Sequence, residues 1–426
     1  MRVLLIGSGG REHALAWKLS RSPKLEALLA APGSDGMADV ARCLPELADA
    51  PPEALVARAR AEAIDLVVVG PEAPLAAGVA DRLRDAGIAT FGPSAGAAQL
   101  EASKAFAKRF MARHRVPTAD FEVFDDAERA RAYVRGLRSG CVVKADGLAA
   151  GKGVAVCDGP EQALAALDEI MGARRFGAAG DRVVVEERMV GEEASFYAVS
   201  DGEHVLTLAP AQDFKRVQDG EHGENTGGMG SYAPAARVDA ALEKRVLEEI
   251  VHPTLRGMAA EGNPYRGVLY VGLMIDAEGN PRVVEFNVRF GDPETQPIAL
   301  QMESDLLPVL DAAARGDLSR VAPPEGRGAA VCVVLCSGGY PRAFATGRPI
   351  DGLDDAAALP DVVVFHAGTK RGADGRFVTT GGRVLGVTAR GADVAAARAQ
   401  AYAAVSRIRF EGMHYRRDIA ARAAAR

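Results

Sequence analysis

The segment VVEFNVRFGDPETQ (residues 283–296) begins as a strand with one apolar and one polar face. The apolar positions are Val284, Phe286, Val288 and Phe290, and between them stand Glu285, Asn287 and Arg289. Because side chains two residues apart on a strand project from the same face, we expect an acid, an amide and a cation in a row. The turn that follows adds Asp292 and Glu294.

This polar face has two explanations. Glu285 and Asn287 offer oxygen ligands, which Mg²⁺ prefers and typically shares with substrate phosphates. Arg289 on the same face could hold a carboxylate or phosphate through two parallel hydrogen bonds. The alternative is a half-exposed strand with an internal Glu–Arg ion pair, and this segment alone leaves both open.

Upstream, VVKADGLAAGKGV (residues 142–154) places Lys144 in a strand before a loop of small residues. The loop contains Gly147, Gly151, Lys152 and Gly153. Glycines let backbone amides approach and surround phosphates closely. The spacing is not that of a Walker A loop, and an ordinary hairpin is the alternative interpretation.

Four acids surround the next predicted turn. Glu186 and Glu187 end one strand, and Glu192 and Glu193 begin another. Such a group is usually a solvated rim. A functional version needs a ligand rich in hydroxyls or cations, such as a ribose.

The amino-terminal segment LLIGSGGREHALAWKL (residues 4–19) follows a strand and opens a helix. Gly7 and Gly9 fit a dinucleotide-binding loop, but Glu12 occupies the position of its third glycine. A tight strand–helix turn is one interpretation. The other is a phosphate held by the amides at the helix start, with Arg11.

The order of elements predicts several domains, since 426 residues exceed one ordinary core. Strands predicted at residues 3–6, 27–32, 65–72 and 88–93 alternate with helices, which indicates a parallel sheet with helices on both faces. The middle of the chain favours an α+β block with antiparallel sheet. After a linker at residues 321–328 we expect a small third domain.

Composition excludes some classes of protein. The formal net charge of −6 is spread along the chain, which argues against a nucleic-acid surface. None of the five cysteines forms a CxxC pair, so buried free thiols in a reducing compartment are expected. The first apolar run is too short for a signal peptide or membrane anchor, which predicts a cytoplasmic protein without a membrane partner.

Taken together, segments along most of the chain resemble the glycinamide ribonucleotide synthetase family (phosphoribosylamine–glycine ligases) of the ATP-grasp superfamily. The resemblance is carried by GSGGREHALAWKL, VGPEAPLAAGVAD, FGPSAGAAQLEASKAF, VVKADGLAAGKGV, GEEASF, NTGGMGSYAP, EFNVRFGDPETQ, FHAGTK and GGRVL. It implies an α/β pre-ATP-grasp domain (1–102) and an ATP-grasp domain (103–325) with a mobile lid subdomain at about 122–190. A small, mostly β carboxy-terminal domain (326–426) would follow.

The resemblance also implies roles for residues. It places ATP against Lys104, Lys144, Gly147, Gly151, Lys152, Gly153, Glu186, Glu187, Val190 and Glu193. It makes Glu285 and Asn287 the metal ligands and directs Arg289 at the acyl phosphate, with Arg289 and Lys144 as the catalytic pair. We place the other substrate groups at Gly9, Gly10, Arg11, Asp213, Lys215, Arg289 and Asp292, with Lys370 as a weaker candidate.

The implied reaction is ATP-dependent ligation of glycine to 5-phosphoribosylamine through glycyl phosphate, a step of purine biosynthesis that uses Mg²⁺ or Mn²⁺. The family suggests a monomer acting on small molecules. Three alternatives remain: another ATP-grasp carboxylate–amine ligase, an NAD-dependent oxidoreductase built on the first loop, and a non-catalytic nucleotide-binding module. Glu12 and the missing hydride-transfer site count against the second, and the retained metal-ligand candidates and lysines against the third.

Two positions depart from the family pattern. Phe214 stands in QDFKR where the family often has histidine, and Glu224 stands before NTGGMG where it often has proline. Both lie near the expected phosphate site, so they put fine substrate contacts in doubt and leave the reaction unchanged.

Overall fold

The computed structural model describes residues 1–148 and 153–425. The first hundred residues form a parallel five-stranded sheet in the order β3-β2-β1-β4-β5. Its strands are β1 (Arg2–Gly7), β2 (Ala27–Pro32), β3 (Arg42–Cys43), β4 (Leu66–Val69) and β5 (Thr90–Phe91). The helices of this region are α1 (Gly10–Leu19), α2 (Pro52–Ala61), α3 (Glu72–Ala76), α4 (Val79–Asp85), α5 (Ala95–Ala102) and α6 (Lys104–His114). The predicted parallel sheet is confirmed.

A separate four-stranded antiparallel sheet follows, in the order β6-β9-β7-β8. It consists of β6 (Phe121–Phe124), β7 (Cys141–Ala145), β8 (Val154–Cys157) and β9 (Val183–Glu187). The helices α7 (Ala127–Arg135) and α8 (Pro160–Leu167) bury Val134 and Leu167 in its core. We call this unit the small sheet. Its strands lie between residues 121 and 187, close to the 122–190 expected for a lid, and a lid role stays a prediction.

The largest sheet is antiparallel, with the order β16-β15-β10-β11-β14-β17-β21-β18. The strands from residue 192 onward are β10 (Glu192–Asp201), β11 (Val205–Asp213), β12 (Arg216–Gln218), β13 (His222–Asn225), β14 (Gly230–Ala233), β15 (Arg266–Ile275), β16 (Pro281–Asn287), β17 (Ala329–Cys336), β18 (Val362–His366), β19 (Thr369–Arg371), β20 (Phe377–Thr379) and β21 (Arg383–Gly391). β12 with β13 and β19 with β20 form separate two-stranded hairpins.

The later helices cover this sheet. They are α9 (Ala240–Val246), α10 (His252–Ala260), α11 (Thr295–Gln301), α12 (Leu306–Arg315), α13 (Leu353–Ala357), α14 (Val394–Val405) and α15 (Ala421–Ala424), and a π turn (Leu247–Val251) joins α9 to α10. The β14–β17 ladder carries the sheet across residues 325/326, where we expected a domain boundary. The sequence did not predict this continuity, and the boundary stays a prediction.

The strand that opened the sequence analysis departs from strict alternation. Its pairing shifts between Gly272 and Leu273, so that Gly272 faces Glu285 and Leu273 faces Val283. Val283 is therefore fully buried, whereas Val284 is half-exposed beside the cleft described below. The prediction that Val284 shares the apolar face was wrong, because a β-bulge inserts one residue there.

Two expectations about composition can be compared with the structure. All five cysteines are free thiols, and all but the half-buried Cys43 are buried. Across residues 1–148 and 153–425, none of the helices has the length and apolar character needed to cross a bilayer.

Candidate functional site

A cleft of about 940 Å³ lies between the small sheet and the edge of the large sheet. It gathers residues that are far apart in the sequence. The predicted residues that line it are Arg11, Lys104, Lys144, Gly147, Gly153, Glu186, Glu187, Glu193, Asp213, Lys215, Glu285, Asn287, Arg289 and Asp292. Gly151 and Lys152 lie outside the described residues.

The polar face of β16 forms the floor of this cleft. Arg289 donates to Glu101 Oε1 at 2.8 Å and to Asn287 Oδ1 at 3.0 Å, and it lies 3.3 Å from Glu72 Oε2. Burial acts to lower the pKa of Arg289, but the carboxylates of Glu101 and Glu72 outweigh it and raise that pKa. Within the described residues, Arg289 thus forms its ion pairs with Glu72 and Glu101, which lie outside its own strand. The Glu–Arg pair within one strand was the wrong alternative.

Glu285 is surrounded by cations. Burial acts to raise its pKa, but Lys215, Lys104 and Lys144 prevail and lower it from 4.5 to about 2. The side chain is therefore an ionised carboxylate beside the amide of Asn287. Among the described residues, no group of three or more His, Cys, Asp and Glu side chains could enclose a metal. A hard cation at this pair would complete its coordination with phosphate and water oxygens, as is usual for Mg²⁺.

The small sheet is joined to this floor by a buried ion cluster. Glu186 Oε2 lies 2.9 Å from Lys144 Nζ and 3.1 Å from Lys108 Nζ, and Lys144 also donates to the Val284 carbonyl at 3.0 Å. Burial outweighs the attraction of Glu186 and lowers the pKa of Lys108 to about 8. Glu186 Oε1 has no partner among the described residues, so this buried acceptor remains available at the wall of the cleft.

The start of the glycine loop is fixed to helix α6. Asp146 Oδ1 accepts hydrogen bonds from the Ser103 hydroxyl at 2.8 Å and from the Ala105 N–H at 3.1 Å. This contact holds Lys104, the first residue of α6, beside the loop. Gly147 has a φ of +152°, and a Cβ there would lie 2.7 Å from that of Ala179, so both backbone conformation and space require glycine.

The four acids of the predicted turn divide into different environments. Glu186 is buried, Glu187 pairs with Arg282 at 2.6 Å, and Glu193 pairs with Lys215 at 3.2 Å. Val190 is 81% exposed between these strands, which is unusual for a large apolar side chain. The turn therefore borders the cleft, and the side chain of Val190 at its tip is exposed.

Asp213 and Lys215 face each other in the cleft. Lys215 Nζ lies 4.0 Å from Asp213 Oδ2. Burial, supported by the neighbouring carboxylates Glu294, Glu193 and Glu285, raises the pKa of Asp213 to about 8 despite Lys215. Burial acts to lower the pKa of Lys215, but Asp213 and the carboxylates of Glu193, Glu285 and Glu294 prevail and raise that pKa. A cationic amino group beside Asp213 would favour its ionised form.

The amino-terminal loop differs from the expected phosphate cradle. Glu12 is buried, and its Oε2 accepts the Gly9 N–H at 2.7 Å, so this N–H is not free. Arg11 donates to Glu12 Oε1 at 2.5 Å and to the Phe290 carbonyl at 3.0 Å. Gly7 and Gly70 leave the space for Glu12, because a Cβ at either would lie within 2.5 Å of that side chain.

Gly9 and Val190 are not among the residues that line the cleft, and two further predicted positions also lie away from it. Gly10 faces α11, where a Cβ would lie 3.0 Å from Gln296 Nε2. Lys370 is exposed on β19 and is not among the residues that line the cleft. The structure therefore brings neither of them to the floor of the cleft.

Sequence reasoning missed several residues that support the site. Glu72 and Glu101 hold Arg289, and Arg383 holds Asp292, with Arg383 Nη2 3.2 Å from Asp292 Oδ2. Glu294, which the sequence analysis noted in the turn after the strand without giving it a role, is buried and accepts from the Ser195 hydroxyl at 3.3 Å. An acid in the alanine-rich run AGAAQLEAS was the available signal for Glu101.

The two departures from the family pattern occupy different environments. Phe214 packs near Tyr232, with ring centroids 6.4 Å apart, and lines the cleft. Glu224 is exposed and pairs with Arg342 at 2.7 Å.

Comparison with known proteins agrees with this architecture. Models of the phosphoribosylglycinamide synthetase N domain, ATP-grasp (A) domain and C domain match residues 1–101, 102–295 and 330–422. The phosphoribosylamine–glycine ligase of Pseudomonas aeruginosa is 52% identical over 426 residues, covering 100% of this chain and 99% of that protein. The Agrobacterium fabrum protein of the same name is 53% identical, with the same coverage.

Solved structures give the same result. The crystal structure of the Thermotoga maritima phosphoribosylamine–glycine ligase has a TM-score of 0.84 and 34% identity, covering 98% of this chain and 100% of that one. The biotin carboxylase domain of Hydrogenobacter thermophilus 2-oxoglutarate carboxylase, solved with MgADP, has a TM-score of 0.72 at 16% identity, which shows the fold alone. This chain belongs to the phosphoribosylglycinamide synthetase family.

Proposed function

We propose that this chain is an ATP-dependent ligase that joins glycine to 5-phosphoribosylamine. The products are glycinamide ribonucleotide, ADP and phosphate, and the reaction belongs to de novo purine biosynthesis. The observation that carries the proposal is the carboxylate of Glu285, which shares one cleft with Lys104, Lys144 and Lys215. Such a floor suits a triphosphate with its cation, and the full-length relatives named phosphoribosylamine–glycine ligase supply the substrates.

We place ATP against the small sheet. Lys104, Lys144 and the loop from Gly147 to Gly153 would hold its phosphates, and the turn from Glu186 to Val190 would hold the adenine. Glu193 would hold the ribose. The unpaired Glu186 Oε1 supports this placement, because a buried acceptor is costly without a donor such as an amino group.

Glu285 and Asn287 would hold a divalent cation, and we propose Mg²⁺, with Mn²⁺ as a substitute. The donor set fits, since it offers a carboxylate and an amide oxygen in a site with anionic ligands to share. When bound, such a cation neutralises charge on the transferring phosphoryl group.

The chemistry of the chain's own residues is positioning and charge neutralisation. The carboxylate of glycine attacks the γ-phosphate, giving glycyl phosphate and ADP, and the amine of phosphoribosylamine then displaces phosphate. Lys144 neutralises the phosphates, and Arg289, fixed by Glu72 and Glu101, faces the acyl phosphate. Preorganised cations of this kind stabilise charge that develops in the transition state.

The remaining substrate groups are placed with the same reasoning. Asp213 would face the ammonium group of glycine, with Lys215 near its carboxylate. Gly10 and Arg11 would hold the phosphate of phosphoribosylamine with Asp292 nearby. The sequence prediction also included Gly9. Its N–H is bonded to Glu12, so Gly9 would contribute only by letting the phosphate come close to the backbone.

We keep the domain limits 1–102, 103–325 and 326–426, with the lid at about 122–190, as part of the proposal. A monomeric protein in the cytoplasm completes it. Buried free thiols support a reducing compartment.

The test is an assay of ADP and phosphate release with freshly made phosphoribosylamine. We expect turnover only when glycine, ATP and a divalent cation are all present, and detection of glycinamide ribonucleotide by mass spectrometry. Alanine and serine serve as controls for glycine. Use of another amino acid while glycine is ignored would refute the substrate assignment.

A further inference from the structure

The hairpin formed by β12 and β13, residues 216–225, is not part of the five-, four- or eight-stranded sheet. It lines the cleft through Arg216, Gly220, Glu221 and Asn225, although residues 218–224 are exposed. A lone two-stranded hairpin is only marginally stable in water, so its position depends on contacts with other parts of the protein.

Most of these contacts come from the carboxy-terminal segment, residues 414–418. Arg416 donates through Nη1 to the Arg216 carbonyl at 3.1 Å and through Nη2 to Glu221 Oε1 at 2.6 Å. Its Nε and Nη2 also bind Asp418 Oδ1 and Oδ2 at 2.8 and 2.7 Å. Although it is an arginine, Arg416 is only 1% exposed.

Three more contacts flank Arg416. The Gly220 N–H donates to Asp418 Oδ2 at 2.8 Å, the Arg417 N–H donates to Asp219 Oδ1 at 2.7 Å, and His414 Nε2 lies 2.8 Å from the Val217 carbonyl. These bonds join parts of the chain about 200 residues apart. Together with the bonds of Arg416, they hold β12 and the turn of the hairpin.

The base of the hairpin leads directly into the cleft. Asp213 and Lys215 precede β12, and Phe214 between them lies under the Arg416 guanidinium, which is 5.2 Å from its ring centroid. A buried guanidinium over an aromatic ring is a favourable cation–π arrangement. The phenylalanine that replaces the family's histidine therefore contacts Arg416.

We propose that Arg416 is a positioning residue: it fixes the hairpin and, through Phe214, orients Lys215 beside Asp213 for the binding of glycine and phosphoribosylamine. Asp213 itself is held by the β11–β14 ladder. This inference rests on the proposed function. Apart from Lys215, which pairs with Glu193 at 3.2 Å, the residues placed against ATP and its cation lie on α6, the small sheet, β10 and β16, outside the hairpin. Loss of Arg416 therefore acts more strongly on the amino-acid and amine substrates than on ATP.

The experiment compares Arg416→Gln, Arg416→Lys and Glu221→Gln with the control Arg417→Gln. Arg417 is the exposed neighbour of Arg416 and bonds the hairpin through its backbone N–H, which the substitution keeps. Each variant is measured for KM of all three substrates, kcat, melting temperature and hydrogen exchange of peptides covering residues 216–225.

In Arg416→Gln we expect faster exchange in the hairpin. The KM for glycine or phosphoribosylamine should rise at least about 10-fold, since a hydrogen bond to a charged group is worth that factor or more. The KM for ATP should change by less than about threefold. Arg416→Lys should recover part of the loss. Glu221→Gln, on the exposed side, should shift the same KM without unfolding the protein. Arg417→Gln should behave as wild type.

The proposal is overturned if all three KM values change together, or if only the melting temperature falls. It is also overturned if hairpin exchange stays slow in Arg416→Gln. Should that variant fail to fold, Glu221→Gln decides: kinetics equal to those of Arg417→Gln refute the proposal. Wild-type enzyme without glycine-dependent turnover would instead refute the proposed function, and the exchange measurement would still test the anchoring of the hairpin.

Discussion

Replacing Glu285 by glutamine tests the floor of the cleft most directly. The change removes one negative charge, keeps the shape of the side chain and leaves an oxygen for a cation. In the ligand-free protein, a carboxyl pKa depressed from 4.5 to about 2 corresponds to roughly 3 kcal/mol of favourable interaction with the surrounding cations. This stability is complete above pH 4.5 and is lost as the pH falls toward 2.

The effect on activity should be larger than the effect on folding. A unit charge about 4 Å from its partner contributes up to about 4 kcal/mol at an effective dielectric constant near 20. Loss of that interaction in the transition state predicts a fall in kcat/KM for ATP of about 10²- to 10³-fold. The cation concentration for half-maximal activity should rise as well.

The assay follows ADP formation against ATP and Mg²⁺ concentration, with urea unfolding at pH 7.5 and pH 4 as the stability measurement. Glu278→Gln is the matched control, since Glu278 is exposed in the turn between β15 and β16. Turnover within about threefold of wild type in Glu285→Gln would refute the assignment of this carboxylate to the cation. Equal losses in both variants would refute its specificity.

Three other predictions concern single groups. Lys144→Gln should raise the KM for ATP by about 10- to 100-fold, because it removes a charged contact between the small sheet and β16. Lys244→Gln, at an exposed lysine, is the control. Equal KM values for ATP in the two variants would contradict the role of Lys144 in binding the phosphates. Burial raises the pKa of Asp213 to about 8, so between pH 4 and 8 the folded protein retains a proton that the unfolded chain loses. The free energy of unfolding of the wild type should therefore fall by a few kcal/mol over this pH range. The Asp213→Asn variant should not show this fall. A pH-independent difference between the two would show that the carboxyl titrates normally. Native protein should react quickly with a thiol reagent only at Cys43, and rapid labelling of several cysteines would contradict their burial.

Much of the fold could be predicted from the chain because its patterns are local. The parallel sheet of the first hundred residues, the Lys144 strand and the polar row on β16 follow from hydrophobic alternation and glycine spacing. The bulge at Val284 could not be predicted, since it depends on the partner strand β15. Alternation fixes faces only while the register is regular.

The supporting side chains were missed for a related reason. Glu72 and Glu101 meet Arg289 only after distant segments pack together, and the local sequence of neither acid indicates that partner. Glu12 was seen only as a departure from a glycine pattern. In the structure its carboxylate accepts the Gly9 N–H, one of the amides that we expected to bind a phosphate.

The ladder between β14 and β17 has a consequence for motion. Because Gly230–Ala233 pairs residue by residue with Ala330–Val333, rotating the carboxy-terminal part away from the cleft floor would require breaking main-chain hydrogen bonds in the middle of a buried sheet. The small sheet has no such ladder to its neighbours among the described residues, apart from the single bridge between Thr118 and Val283 that precedes it. Opening and closing for nucleotide exchange should therefore be a movement of the small sheet against a base that includes the last hundred residues of the chain.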